Sequence, residues 1–89
     1  MSLDELRERL DVIDEQMLVL LSQRAKVILQ VAEFKRYNSL PVHVPEREAA
    51  IMARLRALNP GPLSGEVIER IYRVLIGEMR HFEGEHSVH

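Results

Sequence analysis

An all-α fold of three helices per chain, one long and two shorter, assembled as an intertwined helical-bundle homodimer, is predicted by three observations. No glycine or proline occurs before Pro41, apolar residues recur at helical spacing in three separate stretches, and clusters rich in proline divide those stretches. The first helix opens at a capping box, Ser2 with Glu5 three residues on, and acidic Asp4 and Glu5 complement its dipole. Leu3, Leu10, Met17 and Val31 fall on one seven-residue series, and Leu6, Ile13, Leu20, Val27 and Phe34 fall on a second, which is the pattern of a packed seam. Around Leu18 to Ala32 the helix is apolar nearly all round, so other helices must surround it there.

This helix is expected over about residues 3–38 and would be about 50 Å long, against roughly 30 Å for a compact domain of this size. It must therefore project from its own chain and be covered by a second copy. Pro41 and Pro45 bracket an extended connection, and Pro45 opens a second helix, about 45–58, carrying Ile51, Met52, Leu55 and Leu58 inward. Asn59-Pro60-Gly61-Pro62 cannot continue a helix. Ser64 is placed to cap a third, about 64–83, with Ile68, Ile71, Leu75, Met79 and Phe82 as its inward stripe and Gly84 as its end. Residues 84–89 read as a frayed tail, and residues 1–89 as one domain.

Composition narrows the function. A chain of 89 residues buries little core alone, which again favours a partner copy. The formal charge of -2, with two Tyr, two Phe and no Trp, argues against a nucleic-acid ligand, which calls for a basic face or stacking aromatics. With no cysteine there is no disulfide or thiolate chemistry. No apolar run approaches membrane-spanning length and the chain opens without a basic-then-apolar leader, so no membrane association and a cytoplasmic location are expected. His43, His81, His86 and His89 lack the spacing of metal ligands and read as surface or tail residues.

Arg24 is the most informative residue, because it holds the heptad position between Met17 and Val31 where an apolar side chain belongs. A guanidinium keeps its proton in a protein, so it needs an anion, either a carboxylate of the protein or a ligand. Lys35, eleven residues on, points within roughly 20° of the same direction and stands about 16 Å away along the axis. The two cations share a face, from which long side chains can converge on a small dianion. A structural ion pair for Arg24 and a solvated helix-end position for Lys35 remain the alternatives at this level.

Further fragments carry a resemblance: Leu6-Arg7-Glu8-Arg9-Leu10 with Ile13-Asp14, Leu20-Leu21 with Arg24, then Lys35, Pro45-Glu46-Arg47-Glu48, Asn59-Pro60-Gly61-Pro62 and Ile71-Tyr72-Arg73. In order and spacing these resemble the all-helical chorismate mutases, monofunctional or fused to prephenate dehydratase and related enzymes of aromatic amino acid biosynthesis in the shikimate pathway. The resemblance covers nearly the whole chain. It implies an isomerase that rearranges chorismate, a dianion, to prephenate as a homodimer, with no metal or cofactor. Arg24 matches the arginine that pairs with a substrate carboxylate in its own subunit, and Arg7 the arginine that reaches into the other subunit's site. Lys35 matches the lysine that donates to the ether oxygen and a carboxylate, Arg47 a cation at the site's edge, and Glu48 the acceptor for the ring hydroxyl. Glu83 stands where the family has Gln or Glu as second donor to the ether oxygen. From the residues alone, Glu46 and Glu48 read first as complements to the helix dipole.

The chemistry agrees with such a set. An intramolecular Claisen rearrangement has no leaving group and needs no nucleophile or general base, so catalysis reduces to holding a reactive conformer and stabilising charge at the ether oxygen. Three positions depart from the family pattern. Val44 replaces a common Asp that caps the second helix and binds the ring hydroxyl, which leaves that contact to Glu48. Met79 replaces a small residue, often Ser. Glu83 must be protonated to donate, a state that burial and the substrate's charge favour and the neighbouring cations oppose, so activity is expected to fall as pH rises through neutrality. Two other readings are isochorismate-pyruvate lyase on the same fold, which Val44 favours, and a non-catalytic helical dimerisation module. Glu48 and the Asn59-Pro60-Gly61-Pro62 turn favour the mutase.

Overall fold

A computed structural model of the chain describes residues 1–87; the part of the expected tail that includes His89 lies outside the described residues. Three helices follow one another: α1 (Leu3–Tyr37), α2 (Pro45–Leu58) and α3 (Gly65–Glu85). Among the described residues there is no strand, and no helix is long and apolar enough to cross a membrane.

Each helix end has a local cause. At α1 the capping box is formed in both directions, with Ser2 Oγ accepting from the Glu5 amide at 3.1 Å and the Ser2 amide donating to Glu5 Oε2 at 3.3 Å. At its other end the Leu40 amide returns to the Lys35 carbonyl at 2.7 Å while Ser39 takes φ +56°, which turns the chain back toward α1. Pro45 starts α2, whose N-cap Val44 has no side chain to offer the first turn. Asn59 ties the α2–α3 turn together, accepting from the Gly61 amide at 3.1 Å and donating to the Leu63 carbonyl at 2.7 Å, and Gly61 at φ +74° supplies the left-handed turn. Ser64 caps α3 through the Val67 amide, and an Arg56–Glu69 ion pair of 2.6 Å clips α2 to α3.

α3 lies between the other two helices and packs against both, whereas α1 and α2 make no close backbone approach. The body is elongated, 55 × 26 × 16 Å, with a radius of gyration of 16.2 Å where a compact chain of this length has about 12 Å. The extra length is the first half of α1, in which every residue from 1 to 20 is exposed. Leu10, Ile13, Met17 and Leu20, the seam residues of the heptad pattern, have 58%, 49%, 53% and 62% of their surface open to solvent. The second half of α1 meets α3 around Ala32 and Ile76, the two buried apolar side chains among the described residues.

Three local expectations need correction. Gly84 does not end α3, which continues to Glu85 with His86 as cap, because the Ser87 hydroxyl and the His86 and Ser87 amides satisfy carbonyls of the last turn around that glycine. The inward face of α3 centres on Ile76 and Glu83, and Ile71 points outward with 48% exposure. Leu58 is also turned out, at 61%, because α2 ends there and no other element of the chain reaches past it.

Candidate active site

A cavity of about 300 Å³ opens where α1, the α1–α2 connection, α2 and α3 meet. Helical phase explains its lining. Arg24, Ile28, Val31 and Lys35 lie at successive steps of four, three and four residues along one face of α1. Arg47, Glu48 and Ile51 come from the first turns of α2, Ile76, Met79, Arg80 and Glu83 from one face of α3, and Val42 and Val44 from the connection. Of the residues singled out in the sequence, Arg24, Lys35, Glu83, Arg47, Glu48, Val44 and Met79 are thus brought together. Arg7 is not among them. It stands seventeen residues before Arg24 on a straight helix, about 25 Å away along the axis, and points into solvent.

Inside the cavity the charges are arranged in two kinds. Lys35 Nζ donates to Glu83 Oε2 at 2.8 Å and to the Val42 carbonyl at 2.9 Å. Glu83 is 5% exposed, so this is a partly desolvated pair in which each charge answers the other. Arg80 Nη1 lies 3.0 Å from both oxygens of Glu48, and His43 Nε2 lies 2.8 Å from Oε2 of the same carboxylate. Arg24 and Arg47 are different: among the described residues neither has a carboxylate within ion-pairing distance. The structural ion pair considered for Arg24 is therefore absent, and Lys35 is not a solvated helix-end lysine but a bridging one. Four cationic side chains and two carboxylates line the cavity, which leaves an excess of two positive charges.

Two participants escaped the sequence reading. Arg80 is one of many charged residues on an amphipathic helix, and the only signal for it was its phase, four residues after Ile76 and three before Glu83. His43, read as a surface residue, is 54% exposed in its side chain but is bound to Glu48. His81 pairs with Glu85 at 3.0 Å one turn on, and no group of three potential metal ligands assembles among the described residues.

Known proteins share this architecture. A chorismate mutase from Thermus thermophilus superposes with a TM-score of 0.89 at 28% identity, covering 91% of this chain and 92% of that one. A Helicobacter pylori chorismate mutase in complex with prephenate gives 0.87 at 28% identity, covering 94% and 91%. In sequence the chain is similar to the bifunctional chorismate mutase/prephenate dehydratase of Aquifex aeolicus, 42% identical over 78 residues that make up 83% of this chain and 22% of that protein. It is also similar to the chorismate mutase of Methanocaldococcus jannaschii, 39% identical over 56 residues, 63% of this chain and 57% of that one. The chain thus spans about one fifth of the length of the bifunctional relatives. The family profile described as chorismate mutase type II matches residues 6–84, nearly the full length of the three helices, and the chain belongs to that family.

Proposed function

We propose that the chain catalyses the rearrangement of chorismate to prephenate, as a homodimer and through electrostatic and conformational preorganisation. The observation that carries this reading is the pair of guanidinium groups, Arg24 and Arg47, that face one cavity without a protein carboxylate. Arg24, half-buried, and Arg47, exposed at the rim, offer two positive charges to a ligand with two negative ones. Chorismate carries two carboxylates, and the family's structures include one with prephenate bound.

In this reading Arg24 grips one carboxylate and Arg47 closes the edge of the site. Lys35 has three N–H donors. Glu83 and the Val42 carbonyl take two of them, which orients the third toward the ligand, where it meets the ether oxygen as the carbon–oxygen bond breaks and charge accumulates. Glu83 accepts from Lys35 through Oε2 and so fixes the ammonium beside that oxygen. Met79 and Val44 contribute packing against the ring in place of polar contacts. Arg7 of a second copy enters from the open side, carried by the exposed first half of that copy's α1.

The direct test is mixing the purified chain with chorismate and following the loss of its ultraviolet absorbance with the appearance of prephenate. No loss of absorbance sinks the reading, and release of free pyruvate from isochorismate would move it to the lyase. Glu83→Gln supplies a second check. The amide can still accept from Lys35 and adds an N–H donor at the ether oxygen, so kcat/KM of Glu83→Gln is expected to equal or exceed that of the wild type. A Glu83→Gln chain that loses its activity would remove the role of that position at the ether oxygen.

A further inference from the structure

Three separate segments converge on the Glu48 carboxylate: Arg80 from α3, His43 from the α1–α2 connection, and the first turn of α2 that carries Glu48 itself. The contact from Arg80 is unusual in form, since a single nitrogen, Nη1, stands 3.0 Å from each oxygen rather than two nitrogens each taking one. A cation equidistant from the two oxygens anchors the carboxylate in place, and the one-sided approach of His43 Nε2 to Oε2 sets its rotation about the last bond. A carboxylate offers about four lone-pair directions. Arg80 takes two and His43 one, so a single acceptor direction is left at the cavity wall. Val44, beside it in the same wall, has no polar side-chain atom to share the task.

The geometry points to Arg80 as a positioning residue that anchors the Glu48 carboxylate at the cavity wall, where its remaining acceptor meets a hydroxyl of the bound ligand, and that cancels the charge Glu48 would otherwise present to a dianion. This rests on the proposed mutase reading, in which the ligand's ring hydroxyl is that donor. The hydroxyl keeps its charge through the rearrangement, so the contact is the same in ground and transition states and its loss appears in KM rather than kcat. A residue that merely supports the fold would instead lower the melting temperature and change both constants.

The test is steady-state kinetics with chorismate for wild type, R80M, R80K, E48Q and the E48Q/R80M double variant, with thermal melting of each. R80M is expected to raise KM by about 10-fold to 100-fold, with kcat within about threefold of wild type. R80K should recover most of that loss, because one nitrogen does the bridging and an ammonium can occupy its place. The double variant should lose far less than the product of the two single losses, since Arg80 acts through Glu48. The assignment is overturned by an R80M enzyme within about twofold of wild type, by losses that multiply, by R80K as impaired as R80M, or by R80M melting below the assay temperature. A wild-type chain that leaves chorismate unchanged would sink the functional reading and this assignment with it, whereas an active wild type with an indifferent R80M sinks the assignment alone.

Discussion

Replacing Arg24 with Ala is expected to lower kcat/KM on the order of 10³-fold while the chain stays folded. The size follows from its position: a half-buried guanidinium with no protein carboxylate, at a heptad site where an apolar residue would pack, has only the ligand to answer its charge. The fold does not depend on it for the same reason, because no ion pair is broken when it goes. Arg7→Ala should be impaired as well, though Arg7 lies far from the cavity of its own chain. If each site draws Arg24 from one protomer and Arg7 from the other, refolding the two inactive variants together restores about a quarter of wild-type activity, since half the dimers are mixed and each mixed dimer has one intact site. A mixture that stays inactive would show that the two arginines do not serve the same site from different chains.

Ile13→Glu is expected to abolish association and activity together. Within one chain Ile13 is 49% exposed and no other helix covers it, so a charge there costs a solitary chain little. In the proposed dimer it would lie in the seam. Residues 3–20 leave nine large apolar side chains open in the isolated chain, each contributing about 1 kcal/mol if covered, a sum comparable to the whole stability of a small domain. One buried unpaired carboxylate in that seam cancels several such contributions. Sedimentation at micromolar concentration should give a dimer for wild type and a monomer for Ile13→Glu, with loss of chorismate turnover in the second. A variant that still sediments as a dimer would place the interface elsewhere.

The three-helix architecture was legible because its punctuation is chemical. Pro41, Pro45 and the run from Asn59 to Pro62 cannot sit inside helices, and Ser2 with Glu5 announces a start. Arg24 stood out because it violates an apolar pattern, and Lys35 because eleven residues return a helix nearly to the same face. What could not be read depends on how helices cross. Ile71 and Leu58 fit their apolar periodicities, yet α3 is rotated so that Ile76 and Glu83 lead, and α2 stops before its last leucine finds a neighbour. Gly84 costs a helix only about 1 kcal/mol, which the hydrogen bonds of the final turn offset. Arg80 was invisible for a different reason: nothing local distinguishes an arginine that faces another helix's carboxylate from one that faces water. Its partner is 32 residues away in sequence.

The unsupported first half of α1 also sets how the molecule breathes. A helix of that length without tertiary cover is marginal in water, so its backbone amides are protected only while another chain lies along them. Deuterium should therefore enter residues 3–20 faster as the solution is diluted, while amides near Ala32 and Ile76, shielded within the chain itself, exchange at rates indifferent to dilution. The half of α1 that would deliver Arg7 is the half that frays first.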